Sequence, residues 1–193
     1  MIDLIEVTEE EKARYDESLA EHIANTKIAG KQLGVDEEQL EQHDLSKWDD
    51  EEYYAYTKQF QGGGCPEYFP SAWLHHIQQN EHHWEHWIFP KRYSYKRKGS
   101  EVFDVGDTVY QSRGGLSLIE MPEKYVREMV ADWLGASMTY TGSWDMTDWL
   151  RENLKDIELH PNSVEMLISI MGSIGYKLEY SIGLDGELIE LID

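Results

Sequence analysis

The chain has 193 residues, 40% hydrophobic and 12% aromatic, enough apolar material for one packed domain and too much for a disordered chain. Its charge is extreme, 17 Lys+Arg against 38 Asp+Glu for a formal −21, which sets the surface field against nucleic-acid backbones and anionic membranes. The single cysteine excludes an intrachain disulfide and a structural zinc site of the cysteine type, and no run approaches the ~20 apolar residues of a membrane helix.

The N-terminus lacks a basic n-region, so the expectation is an unexported, cytoplasmic protein. Thr8-Glu9-Glu10-Glu11 carries a capping box, and Tyr15, Leu19 and Ile23 follow at helical spacing. That first helix should run to about Gly34, with His22 on or beside its apolar face. The acidic segment 36–42 reads as a short helix or turn. A second helix is expected over 43–60, with a break near Ser46-Lys47 and an aromatic side of Trp48, Tyr53, Tyr56 and Phe60. Gly62 to Gly64, Cys65 and Pro66 form a loop, in which Cys65 reads as a thiol without a chemical role.

A third helix over 71–80 continues or restarts through His82, His83 and Trp87 and stops at Pro90. Residues 91–119 read as strands of a surface insertion. Its basic arm, 91–98, reads as a solvated hairpin rather than a polyanion contact. Pro122 opens a fourth helix with Val126, Met129, Val130, Trp133 and Leu134 on one stripe. Two more helices are expected at about 145–156 and 162–172, the second capped by Asn162 with Glu165 reaching back. The tail, 176–193, alternates around Asp185-Gly186 as a hairpin. The fold expected is mainly α, one domain over 1–193, with a small β insertion and a β-rich tail.

Eight histidines occur, and five of them fall at 75, 76, 82, 83 and 86. Imidazole and carboxylate donors suit a divalent transition metal: Mn, Fe, Co, Ni or Zn. Such a site keeps open positions for water and substrate. In chain order the candidates are His22, His43-Asp44, His75/His76, His82/His83 and Asp132. This order resembles the HD-domain superfamily of metal-dependent phosphohydrolases over roughly residues 15–135, most closely at His43-Asp44-Leu45-Ser46-Lys47. The resemblance implies an HD-like helical bundle, one ion on His22, His43, Asp44 and Asp132, and a second ion on histidines between the doublet and the last aspartate.

Residues seven apart share a helix face, so His75 pairs with His82 and His76 with His83. The assignment taken is His76 and His83, with Asn80 between them as an orienting or substrate-contacting amide; it requires an unbroken helix. In two-metal members the intervening histidines stand further apart. The resemblance implies hydrolysis of a small phosphoester such as a nucleotide. Asp44 would bridge the ions, and Lys47 would meet a phosphate oxygen, unless it is a solvated lysine paired with Asp50 or Glu51. Arg127 and Arg113 are further phosphate candidates. Two other readings share the site: an HD-fold di-iron oxygenase, and a non-enzymatic acidic interaction protein of phage type with a structural metal. HDLSKW, AWLHHIQQNEHH and EMVADW also resemble a family of small uncharacterised phage and bacterial proteins. No membrane partner and no nucleic-acid partner is expected, and neither the substrate nor the oligomeric state is legible.

Overall fold

The capping box at the start of the chain sets the first helix. Glu11 N donates to Thr8 Oγ1 (3.1 Å) and Thr8 N donates to Glu11 Oε2 (2.7 Å). Helix α1, Glu9–Leu33, ends at Gly34, whose φ of 75° is the left-handed conformation that closes a helix. The computed structural model describes residues 5–89, 109–112, 115–183 and 186–192. Pro90, the basic arm, Arg113 and Asp185 lie outside the described residues. The architecture is mainly α, and among the described residues no helix is long and apolar enough to cross a membrane.

The chain forms two compact units. The first takes residues 1–81 and 131–145. It contains α1, α2 (Glu37–Gln42), a 3-10 turn (Leu45–Trp48), α3 (Asp50–Gln61), α4 (Phe69–Gln79) and the C-terminal part of α5 (Glu123–Thr141). Its apolar core joins Tyr15 and Leu19 of α1, Ala55 and Tyr56 of α3, Ala72 of α4 and Cys65 from the loop. Cys65 is therefore a core residue rather than an exposed loop thiol. The doublet His43-Asp44 lies between helices, because α2 stops at Gln42 and the next turn is 3-10.

The second unit takes residues 82–130 and 146–193. An antiparallel sheet orders β1 (Ile88–Phe89), β3 (Ser117–Ile119) and β2 (Val109–Gln111), with Leu118 opposite both Ile88 and Tyr110. Helix α6 (Thr147–Asn153) leads through a 3-10 turn to α7 (Pro161–Ser173), then to the antiparallel hairpin β4 (Lys177–Gly183) and β5 (Gly186–Ile192). The cap of α7 falls earlier than the sequence suggests. His160 Nδ1 accepts from Asn162 N (3.2 Å), and Pro161 takes the first helical position, where its missing N–H costs nothing. Val164, Leu167, Ile170 and Met171 then form the buried stripe.

Helix α5 runs seven residues past Leu134, and its far part passes very close to α1. A Cβ at Gly135 would meet Thr26 N at 2.7 Å and Thr26 Cα at 2.8 Å, well inside contact distance to backbone that cannot swing away. Gly135→Ala should therefore destabilise the fold by about 2 kcal/mol or more, despite alanine's better helix propensity. Urea unfolding of the variant checks this; a stabilised variant would refute the close approach.

Candidate metal centre

Three stretches of the first unit deliver the candidate donors. On α1 the buried stripe runs Tyr15, Leu19, His22, Thr26, so helical spacing alone carries the His22 imidazole inward. His43 closes α2 and Asp44 follows with φ 58° and ψ 15°. Asp44 is the only non-glycine with positive φ among the described residues. Aspartate tolerates that left-handed conformation better than most residues, at a cost on the order of 1 kcal/mol. His43 and Asp44 are both buried at this reversal, and Lys47 N closes the turn onto Asp44 O at 3.0 Å. Asp132 comes from α5, on the part that belongs to this unit.

The donor atoms converge. His22 Nε2 lies 3.1 Å from Asp44 Oδ2 and 3.0 Å from Asp132 Oδ1. His43 Nε2 lies 3.6 Å and 3.4 Å from the same two oxygens. Ligand bonds of about 2.1 Å set neighbouring donors ~3.0 Å apart around an octahedral ion and ~3.4 Å around a tetrahedral one. Three of the four His–Asp separations fall at those spacings, and the fourth, His43 to Asp44, is slightly longer at 3.6 Å. His22, His43 and Asp44 are buried and Asp132 is half-buried, so the donors are shielded while one edge stays open. Without an ion the same atoms lie within ion-pair distance of one another.

Lys47 supplies the positive charge of that network. Its Nζ sits 2.6 Å from Asp44 Oδ2, and 5.8 Å from the Tyr56 ring centroid, with only 16% of the side chain exposed. It pairs with Asp44, not with Asp50 or Glu51. Burial alone would raise the Asp44 carboxyl, but Lys47, His43 and the hydrogen bond to His22 hold it well below the usual carboxylate range. Burial would likewise lower Lys47, and Asp44 and Asp132 instead keep its ammonium charged. His22 is pulled down by burial and pushed above its ordinary value by Asp132 and Asp44.

The second group of candidates is arranged differently from its sequence reading. Helix α4 stops at Gln79, so His76 and His83 do not share a helix face. The break has a cause: Asn80 caps the helix, and its Nδ2 donates to His76 O (2.9 Å) and to Ser46 Oγ (2.8 Å). Asn80 thus ties α4 to the 3-10 turn, and its amide is engaged in that junction. His83 belongs to the second unit, where it precedes the turn Trp84–Trp87 and its ring lies 4.3 Å from that of His82. In the same unit His82 Nδ1 lies 3.3 Å from Glu128 Oε1. Arg127 is engaged by Glu123 at 2.9 Å.

His76 does reach the centre, with Nε2 3.4 Å from Asp44 Oδ1, on the side away from His22. Its Nδ1 is held by Glu52 Oε2 at 2.8 Å, and the other oxygen of Glu52 holds His75 Nδ1 at 2.8 Å. Burial and the nearby Lys47 charge take His76 below its ordinary pKa, against the upward pull of Glu52 and Asp44. Glu52 is fully buried and escaped the sequence reading because it ends the acidic run Asp49-Asp50-Glu51-Glu52. Its spacing of three and four to Ala55 and Tyr56, which are core residues, was the available signal.

The Asp44–Lys47 pair predicts a double-mutant cycle in chelator-treated protein. Asp44→Asn keeps a residue that tolerates the left-handed turn but strands the Lys47 ammonium, and should cost about 3 kcal/mol. Adding Lys47→Met should recover most of that loss in urea unfolding, whereas strictly additive losses would show that the pair is not coupled.

No curated protein and no solved structure matches the chain. One family model, described as a family of unknown function (DUF5662), matches residues 11–173. The match takes in every donor of the centre and stops before the hairpin β4–β5. Covering well over half of the sequence, it establishes that the chain belongs to the family of unknown function DUF5662.

Proposed function

We propose that the first unit holds a divalent transition-metal ion on His22, His43, Asp44 and Asp132 and uses it to hydrolyse a small phosphoester. The observation that carries the reading is the set of four His–Asp separations between 3.0 and 3.6 Å, close to ligand spacings, on side chains that are buried or half-buried. A divalent ion with nitrogen and oxygen ligands would supply Lewis acidity, lowering the pKa of a coordinated water towards neutrality. The order of the donors along the chain supports an HD-type phosphohydrolase, the family that the sequence resembles.

The protein's own groups have distinct tasks. His22 and His43 would hold such an ion as neutral nitrogen donors. Asp44 offers Oδ2 to that side and Oδ1 to His76, so a second ion would share Asp44 as a bridge. Lys47, beside the same carboxylate, would be a point charge for a phosphate oxygen. The −21 surface does not oppose this, because ion and lysine invert the local field.

Elemental analysis of natively purified protein tests the reading, with His43→Ala and Asp44→Ala beside it. Wild type should carry one or two divalent ions per chain, and both variants should lose the ion. Protein without metal that takes up neither Mn nor Fe would sink the proposal. With Mn or Co present, a panel of nucleoside monophosphates and generic phosphoesters should yield phosphate, and Lys47→Met should cost on the order of 100-fold in kcat/KM while retaining the ion. Bound iron with oxygen consumption and no phosphate release would redirect the site to oxygenase chemistry. Bound ion without turnover would make it structural, as in an interaction protein.

A further inference from the structure

We infer that Glu52 is a positioning residue that presents His76 to the centre as a ligand of the second ion; this rests on the metal-hydrolysis reading above. Glu52 is a carboxylate with no exposed surface. Burying such a charge is costly unless each oxygen is matched. Its two oxygens meet two consecutive histidines of α4, His75 Nδ1 and His76 Nδ1, both at 2.8 Å. A carboxylate only accepts, so each ring donates to it from Nδ1; the Asn80 Nδ2 that lies 3.0 Å from His76 Nδ1 spends its two hydrogens on His76 O and Ser46 Oγ. The remaining nitrogen of His76, Nε2, then has its lone pair on the side of Asp44 Oδ1, 3.4 Å away. Metal-binding histidines are commonly held this way, with the far nitrogen donating to a carboxylate that fixes ring orientation and tautomer.

The environment points the same way. The Tyr56 and Trp73 rings flank His76 at 5.7 and 5.8 Å, and His76 is fully buried, so its ring cannot turn to exchange its nitrogens. The pairing of a buried ring facing Asp44 with a partly exposed one, His75, is what a carboxylate anchored on both sides provides.

Glu52→Gln is the discriminating variant. It keeps the shape, but its amide accepts from one imidazole and presents N–H to the other, so the two rings can no longer both hold their proton on Nδ1. Ring-nitrogen NMR of ion-free, labelled protein should show His76 protonated at Nδ1 in wild type and displaced towards the other tautomer in the variant. Equilibrium dialysis with Mn(II) or Co(II) should show the first ion bound within about threefold of wild type. The second ion should weaken at least tenfold, the usual cost of removing such a partner.

A folded Glu52→Gln protein that binds both ions as wild type does overturns the inference. So does a wild-type chain that holds one ion and no second, or an ion-free wild type with the His76 proton on Nε2. That last measurement needs no variant, so it stands even where Glu52→Gln does not fold. Wild type that binds no ion fails the metal-hydrolysis reading itself, which the two-ion result with an unaffected variant does not.

Discussion

A carboxylate with no exposed surface, Asp44, is the constraint on which the first unit is built. In a low-dielectric interior such a charge survives only if its partners are fixed in place. The partners come from three directions: Lys47 from its own turn, His22 from α1, and His76 from α4. The left-handed backbone at Asp44, the 3-10 turn after it and the helix end at Asn80 all serve to aim these groups. Glu52 repeats the arrangement one layer further out, a second buried carboxylate between two imidazoles. Aromatic packing around Tyr15 and Tyr56 closes the shell on the side of α1 and α3.

The central chemical question is which cation completes this network. Lys47 Nζ occupies the oxygen of Asp44 that also faces His22, so an ion entering between the two histidines and the two aspartates would compete with the ammonium for that oxygen. Two positive centres on one carboxylate oxygen repel strongly in a buried setting. The lysine stem is long enough to swing towards solvent, where a substrate anion would meet it. The same residue stabilises the ion-free carboxylate and, if the proposed chemistry holds, would be available to substrate.

Much of this was legible in the sequence. The capping box at Thr8, the glycine stop at Gly34 and the stripe of Tyr15, Leu19 and His22 follow from local rules, and the structure shows each of them. The four donors His22, His43, Asp44 and Asp132 could be ordered from their types alone, and they do converge. What failed were inferences that extrapolated a helix through a residue with competing chemistry. Asn80 satisfies backbone and Ser46 with its side chain, and the face shared by His76 and His83 ends there. Glu52 was hidden because charge composition does not reveal which of four consecutive acids points inward; only the period of its apolar neighbours does.

The first unit is also discontinuous along the chain, since its last donor, Asp132, follows His22 by 110 positions (132 − 22). A chain emerging during synthesis presents three of the four donors long before the fourth. Closing so long a loop costs entropy that only the folded unit repays. An ion held by all four donors would therefore bind the finished fold in preference to partly folded forms. Such selectivity would link metal supply to the lifetime of the protein: by mass action a loaded chain would open less often, and meet proteases less often, than an unloaded one.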